Sequence, residues 1–169
     1  MTIPAITDYP EHYRGYVGLV PEGNIIEILA SQLEETIAYV KAKEDRKDFR
    51  YAEAKWSLIE VIGHIIDTER IQAYRLLRIA RGDQTQLAGY DDESYVENAN
   101  FSTRTIDGLL QEFAAVRASN IALLKGLSED AWEKRGFANN GEFTVNALAY
   151  IIAGHERHHL KLIKERYTV

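Results

Sequence analysis

Cysteine is absent from the 169-residue chain, and the three prolines all lie within the first 21 residues. Without cysteine there can be no disulfide, no thiolate metal ligand and no cysteine nucleophile. No stretch of about 18 residues is free of charge, which excludes a transmembrane helix. The first residues lack the basic and apolar regions of a secretory signal, so we expect a cytoplasmic protein.

Positive charge is also scarce, because 26 acidic side chains outnumber 20 basic ones and give a net charge of −6. An acidic protein repels phosphate backbones, so we expect no nucleic-acid partner. Arg75, Arg78 and Arg81 repeat every third residue, and we interpret this basic ridge as a solvated helix face. The length and the 46% hydrophobic content fit one globular core. We therefore predict a single domain over residues 1–169, with an N-terminal extension of about residues 1–22.

Apolar residues at 3.6-residue spacing predict four long amphipathic helices. Their approximate bounds are 24–43, 57–81, 103–126 and 144–167. Ser57 and Glu60 form a capping box at the start of the second helix, and Thr144 is a typical N-cap for the fourth. No segment has the alternation of a strand. The sequence therefore predicts an all-α protein, a four-helix bundle.

Residues 83–102 have no helical periodicity and contain many turn-forming residues, so we predict a loop there. A loop of about 20 residues is much longer than the usual ~4–6 and tends to be either functional or disordered. Tyr90 and Tyr95 favour a loop that packs on the bundle.

The last predicted helix contains three histidines in the segment AGHERHHLKLIKERY. On a helical wheel, His155 lies at the centre of the apolar stripe and His159 only about 40° from it. Two buried imidazoles would each lose solvation unless paired, and a divalent metal would satisfy both. The alternative is that each histidine hydrogen-bonds a buried polar group on a neighbouring helix. The pattern leaves both interpretations open.

His155, Glu156 and His159 also match the HExxH pattern of zinc peptidases. Those enzymes take a third ligand from downstream, whereas only ten residues follow His159 here and none is His or Asp. We therefore do not expect a metallopeptidase.

The remaining histidines are His12 and His64. His12, in a Pro- and Tyr-rich stretch, is expected at the surface. His64 lies on the second helix with Asp67 one turn away, and both point away from the main apolar face of that helix. This side is either solvated or the polar wall of a cleft, and composition does not choose between the two.

Three segments of the chain stand in a characteristic order and spacing: KWSLIEVIGHIIDTERIQAYRLLRIARGD, LAGYDDESYV and LAYIIAGHERHHLKLIKERY. On these segments the chain resembles the DinB/YfiT-like family of bacterial four-helix proteins, and the resemblance covers nearly the whole chain. It implies a three-histidine metal site, with one ligand from the second helix and an H-x-x-x-H pair from the last. In this sequence those positions are His64, His155 and His159. Zinc or nickel would suit three imidazoles, which leave coordination positions open for water or substrate.

The resemblance further implies a divalent-metal-dependent enzyme that acts on a small-molecule substrate. Some relatives transfer low-molecular-weight thiols such as bacillithiol or mycothiol, and others resemble hydrolases. A metal would lower the pKa of the bound thiol or water. A thiol S-transferase would need an external thiol, because the chain has no cysteine.

Two acidic residues are candidates for catalytic roles beside such a metal. Glu156 could accept the proton, although an exposed charge on the helix flank is the simpler interpretation. Asp67 could orient His64 as a hydrogen-bond acceptor. The substrate would lie between the metal and the loop with Tyr90, Asp91 and Tyr95.

Two other classes of function remain open at this point. One is a non-catalytic protein that uses the same site to bind a metal or ligand. The other is a structural or assembly domain whose histidines only satisfy one another. An apolar helix face could also support a homodimer.

Overall fold

The computed structural model describes residues 2–168. In chain order its helices are α1 (Arg14–Val17), α2 (Ile25–Lys41), α3 (Leu58–Ala80), α4 (Asp92–Ala99), α5 (Ile106–Lys125) and α6 (Val145–Arg166). Two short strands, β1 (Arg135–Ala138) and β2 (Gly141–Thr144), precede α6. Helix α2 packs on α5 and α6, and α3 packs on the same two helices. The four long helices therefore form a bundle, as the sequence predicts, and α6 lies between α2 and α3.

Local capping signals place the helix starts correctly. The backbone N–H of Ser57 donates to Glu60 Oε2 at 2.6 Å, which is a hydrogen bond of the predicted capping box at the start of α3. The hydroxyl of Thr144 accepts a hydrogen bond from Ala147 N at 3.1 Å and caps α6. The third long helix begins slightly later than predicted, because Thr105 caps it through a bond from Gly108 N.

The all-α bundle is confirmed, with one small addition that the sequence did not signal: β1 and β2 pair as an antiparallel hairpin. Asn139 and Asn140 form its turn with φ angles of 47° and 61°. These left-handed values are typical of a two-residue hairpin turn, and asparagine tolerates them. The hairpin buries Ala138 and Phe143, and strands of four residues are too short for alternation to reveal them.

The prediction of a loop over residues 83–102 is correct only in part, because α4 lies inside it. Asp91 caps this helix by accepting a hydrogen bond from Ser94 N at 3.0 Å. The segment packs on the bundle as expected, since the backbone of Leu87 pairs with the hairpin on either side of Ala138. The prediction of a solvated basic ridge is correct only in part, because Arg81 is exposed and Arg78 half-buried, whereas Arg75 is only 2% exposed.

The core consists of two apolar clusters with polar side chains between them along each long helix. On α3, for example, buried Thr68, Glu69 and Gln72 separate Ile66 from Leu76. The other buried polar side chains at this level are Gln32, Thr36, His64, Arg117, Asn120, His155, Glu156 and His159. This polar layer crosses the middle of the bundle. Within residues 2–168, no helix combines the length and apolar character that a membrane crossing needs.

Candidate metal centre

The structure brings together three histidines from α3 and α6. Nε2 of His155 lies 3.0 Å from Nε2 of His64 and 3.1 Å from Nε2 of His159. The three side chains are 5–8% exposed, and one ring nitrogen from each lies within 4.8 Å of the other two. Of the two interpretations of the face with His64, the polar wall of a cleft is therefore correct.

Burial controls the protonation of this cluster. It lowers the pKa of His64 to about 4 and lowers the pKa of His155 and His159 well below the ordinary value of 6.5. At neutral pH all three rings are therefore uncharged, and each has a nitrogen lone pair to share. Within residues 2–168, Nδ1 of His159 is buried without a hydrogen-bond partner, so the contacts within the cluster do not satisfy every ring nitrogen.

The spacing of these nitrogens fits a divalent metal ion. Nitrogens that ligate one zinc ion at about 2.1 Å lie roughly 3.0–3.4 Å apart when the angles at the metal are about 90–110°. Two of the three pairs have the observed separations of 3.0 and 3.1 Å. Neutral imidazole is also the ligand type that suits zinc and nickel. The donor set and two of its three spacings therefore fit a metal site.

The histidines open onto a cavity of about 320 Å³. Its lining residues are His12, Tyr13, Tyr16, Trp56, His64, Thr68, Gln72, Tyr90, Asp92, Asn139, Ile151, His155 and His159. The cavity thus has a floor on α3 and α6, and the N-terminal segment, the hairpin turn and the start of α4 form its walls. This volume is at the lower end for ligand pockets and suits a small molecule.

A glycine allows the N-terminal segment to cover the histidines. A Cβ at position 154 would lie 2.1 Å from the backbone oxygen of Tyr16, so only glycine permits this approach. The Tyr16 ring then packs edge-on against His155, with 5.5 Å between ring centroids. His12 is exposed, as predicted, but it also lines the cavity.

Part of the predicted substrate-binding loop reaches this cavity. The Tyr90 hydroxyl lies 2.7 Å from the Thr68 hydroxyl and fastens the segment to α3. Asp91 caps α4 instead, and Tyr95 packs against Tyr90 with its side chain 48% exposed. The adjacent Asp92, which the sequence analysis did not single out, lines the cavity.

Glu156 does not face the histidines and is not exposed on a helix flank. Its side chain is 1% exposed and points towards α2 and α5. Its carboxylate accepts hydrogen bonds from Thr36 Oγ1 at 2.6 Å, from Arg117 Nη2 at 2.7 Å and from Gln32 Nε2. Because α6 lies between α2 and α3, His155 faces α3 while the adjacent Glu156 faces α2. The structure thus gives Glu156 a place in a buried ion-pair network.

Asp67 also lies apart from its expected partner. Its Oδ1 accepts a hydrogen bond from Arg70 Nη1 at 3.3 Å, and no hydrogen bond among residues 2–168 joins it to His64. On α3, the residues that line the cavity together with His64 are Thr68 and Gln72. They follow His64 at intervals of four, a spacing that places all three on one side of α3 and could have been recognised in the sequence.

Arg117 and Glu69 are further buried charged residues that the sequence analysis missed. The Arg117 guanidinium is fully buried and donates to both carboxylate oxygens of Glu69, at 2.8 and 2.7 Å. It also donates to the Leu29 carbonyl at 2.6 Å. Arginine and glutamate are usually exposed, so no local pattern distinguishes these two from surface residues.

The fold and the site together define a class: a four-helix bundle with a three-histidine cluster at the base of a small open cavity. The chain belongs to the DinB superfamily, whose family model matches residues 26–163. A relative from Oceanobacillus iheyensis, named as a candidate metal-dependent hydrolase, is 26% identical over 144 residues. The match covers 82% of this chain and 79% of the relative.

Solved structures share the same fold. YfiT from Bacillus subtilis, described as a candidate metal-dependent hydrolase with an unusual four-helix bundle topology, matches with a TM-score of 0.62 and 18% identity. The match covers 93% of this chain and 88% of YfiT. A mycothiol-dependent maleylpyruvate isomerase matches with a TM-score of 0.64 and 16% identity over 82% of this chain, which spans only 57% of that protein. At such identities these structures show the fold alone.

Proposed function

We propose that the protein is a divalent-metal-dependent hydrolase of a small molecule, with His64, His155 and His159 as the metal ligands. The observation that carries this proposal is the convergence of three buried, neutral imidazole nitrogens at the base of an open cavity. The names of the Oceanobacillus relative and of YfiT support the same reaction class. Zinc and nickel are the expected ions, because both bind imidazole well.

A divalent ion at this site would act as a Lewis acid and lower the pKa of a bound water. His64, His155 and His159 would hold the ion, and three protein ligands would leave it able to bind water or substrate, as in catalytic rather than structural zinc sites. The chain itself supplies orientation and exclusion of water. Tyr16 packs against His155, and the hydrogen bond between Tyr90 and Thr68 fastens the loop to α3 beside the site.

The second candidate function is transfer of an external low-molecular-weight thiol. It is supported by the structural similarity to a mycothiol-dependent isomerase. The thiol would have to be external, because this chain has no cysteine. A metal-bound thiol would lose its proton for the same electrostatic reason as a metal-bound water. A non-catalytic binding protein would use the same three histidines to hold the metal. It would bind metal in the first assay below and show no turnover in the second.

Metal analysis tests the site directly. Wild-type protein incubated with zinc or nickel and then desalted should retain close to one equivalent, and His155→Ala should retain almost none. His158→Ala is the matched control, because His158 is the exposed neighbour of His159 and lies outside the cavity lining. Equal retention by wild type and His155→Ala would overturn the proposed ligand set.

Turnover then separates the reaction classes. Metal-loaded protein is assayed with a panel of small amides and esters, and separately with an electrophile plus an added thiol. Hydrolysis that chelation abolishes supports the first function, and thiol-dependent turnover alone supports the second. Turnover that survives in the His64→Ala, His155→Ala double variant would rule out metal catalysis.

A further inference from the structure

The charge of the cavity wall bears on which substrates could enter. Asp92 is the only Asp, Glu, Lys or Arg among the residues that line the cavity. None of the ion pairs formed among residues 2–168 includes Asp92. The wall therefore presents one carboxylate without a cationic partner from the protein.

Arg75, a buried cation that contacts the cavity-lining residues Gln72 and Tyr90, is already engaged by other groups. The Arg75 guanidinium is 2% exposed and donates to the Ala88 carbonyl at 2.8 Å and to Gln72 Oε1 at 3.5 Å. The guanidinium also lies 5.9 Å from the centroid of the Tyr90 ring. Tyr90 itself lines the cavity. Arg75 thus holds the wall in place and leaves Asp92 unneutralised.

Aromatic rings make up much of the remaining wall. Tyr13, Tyr16, Trp56 and Tyr90 all line the cavity. The face of an aromatic ring carries partial negative charge and attracts cations, most strongly when the cation loses water. Four such rings with one carboxylate form an environment that favours a positively charged organic group.

Asp92 stands at the mouth of the cavity. It is the first residue of α4 and remains exposed, and it lines the cavity together with Tyr90. Burial raises the pKa of Tyr90, and the negative charge of Asp92 raises this pKa further. The charge of Asp92 therefore acts on an aromatic side chain of the wall.

We propose that the cavity takes small substrates that carry an ammonium group, and that Asp92 is the residue that selects them. This inference rests on the proposed function, with the polar reacting group of the substrate at the metal and its ammonium group beside Asp92. Molecules with a carboxylate in place of the ammonium group would meet the unpaired charge of Asp92 and bind more weakly.

Three hydroxamates of similar length test the proposal on the cobalt-loaded protein. They are 3-aminopropanohydroxamate, butanohydroxamate and succinic monohydroxamate, whose far ends are cationic, neutral and anionic. Their dissociation constants are measured from the cobalt absorption bands. We expect the cationic compound to bind about tenfold more tightly than the neutral one and the anionic compound to bind most weakly.

The variant Asp92→Asn should abolish this order while keeping the shape of the side chain. Glu97→Gln is the matched control, because it makes the same charge change at an exposed position on α4 outside the cavity lining. This control should keep the order. Tightest binding of the anionic compound, or an unchanged order in Asp92→Asn, would overturn the proposal.

A metal-independent readout separates this inference from the proposed function. Failure of cobalt to bind would overturn the metal site but not the selectivity of the cavity wall. Butylammonium, butanol and butyrate are then titrated against the metal-free protein, with the fluorescence of Trp56 in the wall as the signal. Preference for butylammonium that disappears in Asp92→Asn supports the role of Asp92, and equal binding of all three would overturn it.

Discussion

Arg117 is the residue whose replacement should cost the most stability. Its guanidinium lies between the carboxylates of Glu69 and Glu156, and all three side chains are nearly inaccessible. The variant Arg117→Met would leave two carboxylates without their shared cation. We expect the free energy of unfolding to fall by about 3–5 kcal/mol, measured by urea denaturation at pH 7.

Arg104→Gln is the control for Arg117→Met. It removes an ion pair with Glu112 whose arginine side chain is 43% exposed, so a loss below about 1 kcal/mol is expected. Adding Glu69→Gln and Glu156→Gln to Arg117→Met should recover part of the stability, because no buried charge then remains unpaired. A loss in Arg117→Met no larger than in the control would contradict this account of the polar layer.

At single residues, the sequence predicts which side of a helix a residue occupies but not which neighbour it meets. The 3.6-residue period brought His155 and His159 to the buried stripe, and the structure agrees. The same wheel put Glu156 at the edge of that stripe, where its environment depends on the position of α2. The expectation of an exposed Glu156 failed because the wheel does not show that α2 covers it. Asp67 was expected to bond His64 but bonds Arg70, because the wheel does not show which neighbour a side chain meets.

The start of α3 offers a test at the scale of one element. Burial raises the pKa of Glu60, but hydrogen bonds from Ser57 and from the Arg50 guanidinium more than offset this and leave the pKa below its usual value. The ionised cap therefore stabilises the fold above the unfolded-state pKa of about 4.3. This contribution is lost as the pH falls through the lower folded-state pKa.

The variant Glu60→Gln should therefore be less stable than wild type at pH 7 and equally stable in acid. At pH 7 we expect a loss of about 0.5–1 kcal/mol, which diminishes as the pH of the urea denaturation series falls below the unfolded-state pKa. Glu97→Gln, on the exposed side of α4, should show no such pH-dependent difference. A difference that stays constant down to the most acidic pH would mean that the charge of Glu60 is not its source.

At the scale of elements, the sequence predicts those whose signals are local. Caps at Ser57 and Thr144 placed two helix starts correctly. The hairpin and α4 were missed because neither is long enough for a period to emerge, and each depends on contacts elsewhere in the chain. The hairpin packs against α3, where a Cβ at position 136 would meet the Ile79 side chain at 2.6 Å.

The arrangement of the whole bundle determines how the histidines meet, and periodicity does not predict it. The position of α6 between α2 and α3 brings His64 to the pair on α6 and turns Glu156 the other way. In the sequence, only the family resemblance connected His64 with His155 and His159. An ion bound by these three side chains would join α3 to α6 within the polar layer, away from the apolar clusters.

A bound metal should therefore stabilise the whole molecule and not only its cavity. A ligand at 100 times its dissociation constant adds about 2.7 kcal/mol to the free energy of unfolding. For a protein of this size, that corresponds to a rise in Tm of roughly 5–10 °C. We expect zinc to produce such a rise in wild type and EDTA to reverse it, followed by circular dichroism at 222 nm.

Two variants determine whether this stabilisation comes from the proposed ligands. His64→Ala removes the one ligand on α3 and should abolish the rise in Tm, because an ion on α6 alone no longer links the two helices. His158→Ala keeps all three ligands and should retain the full rise. An undiminished rise in His64→Ala would show that zinc binds elsewhere, and the link between α3 and α6 would have to be abandoned.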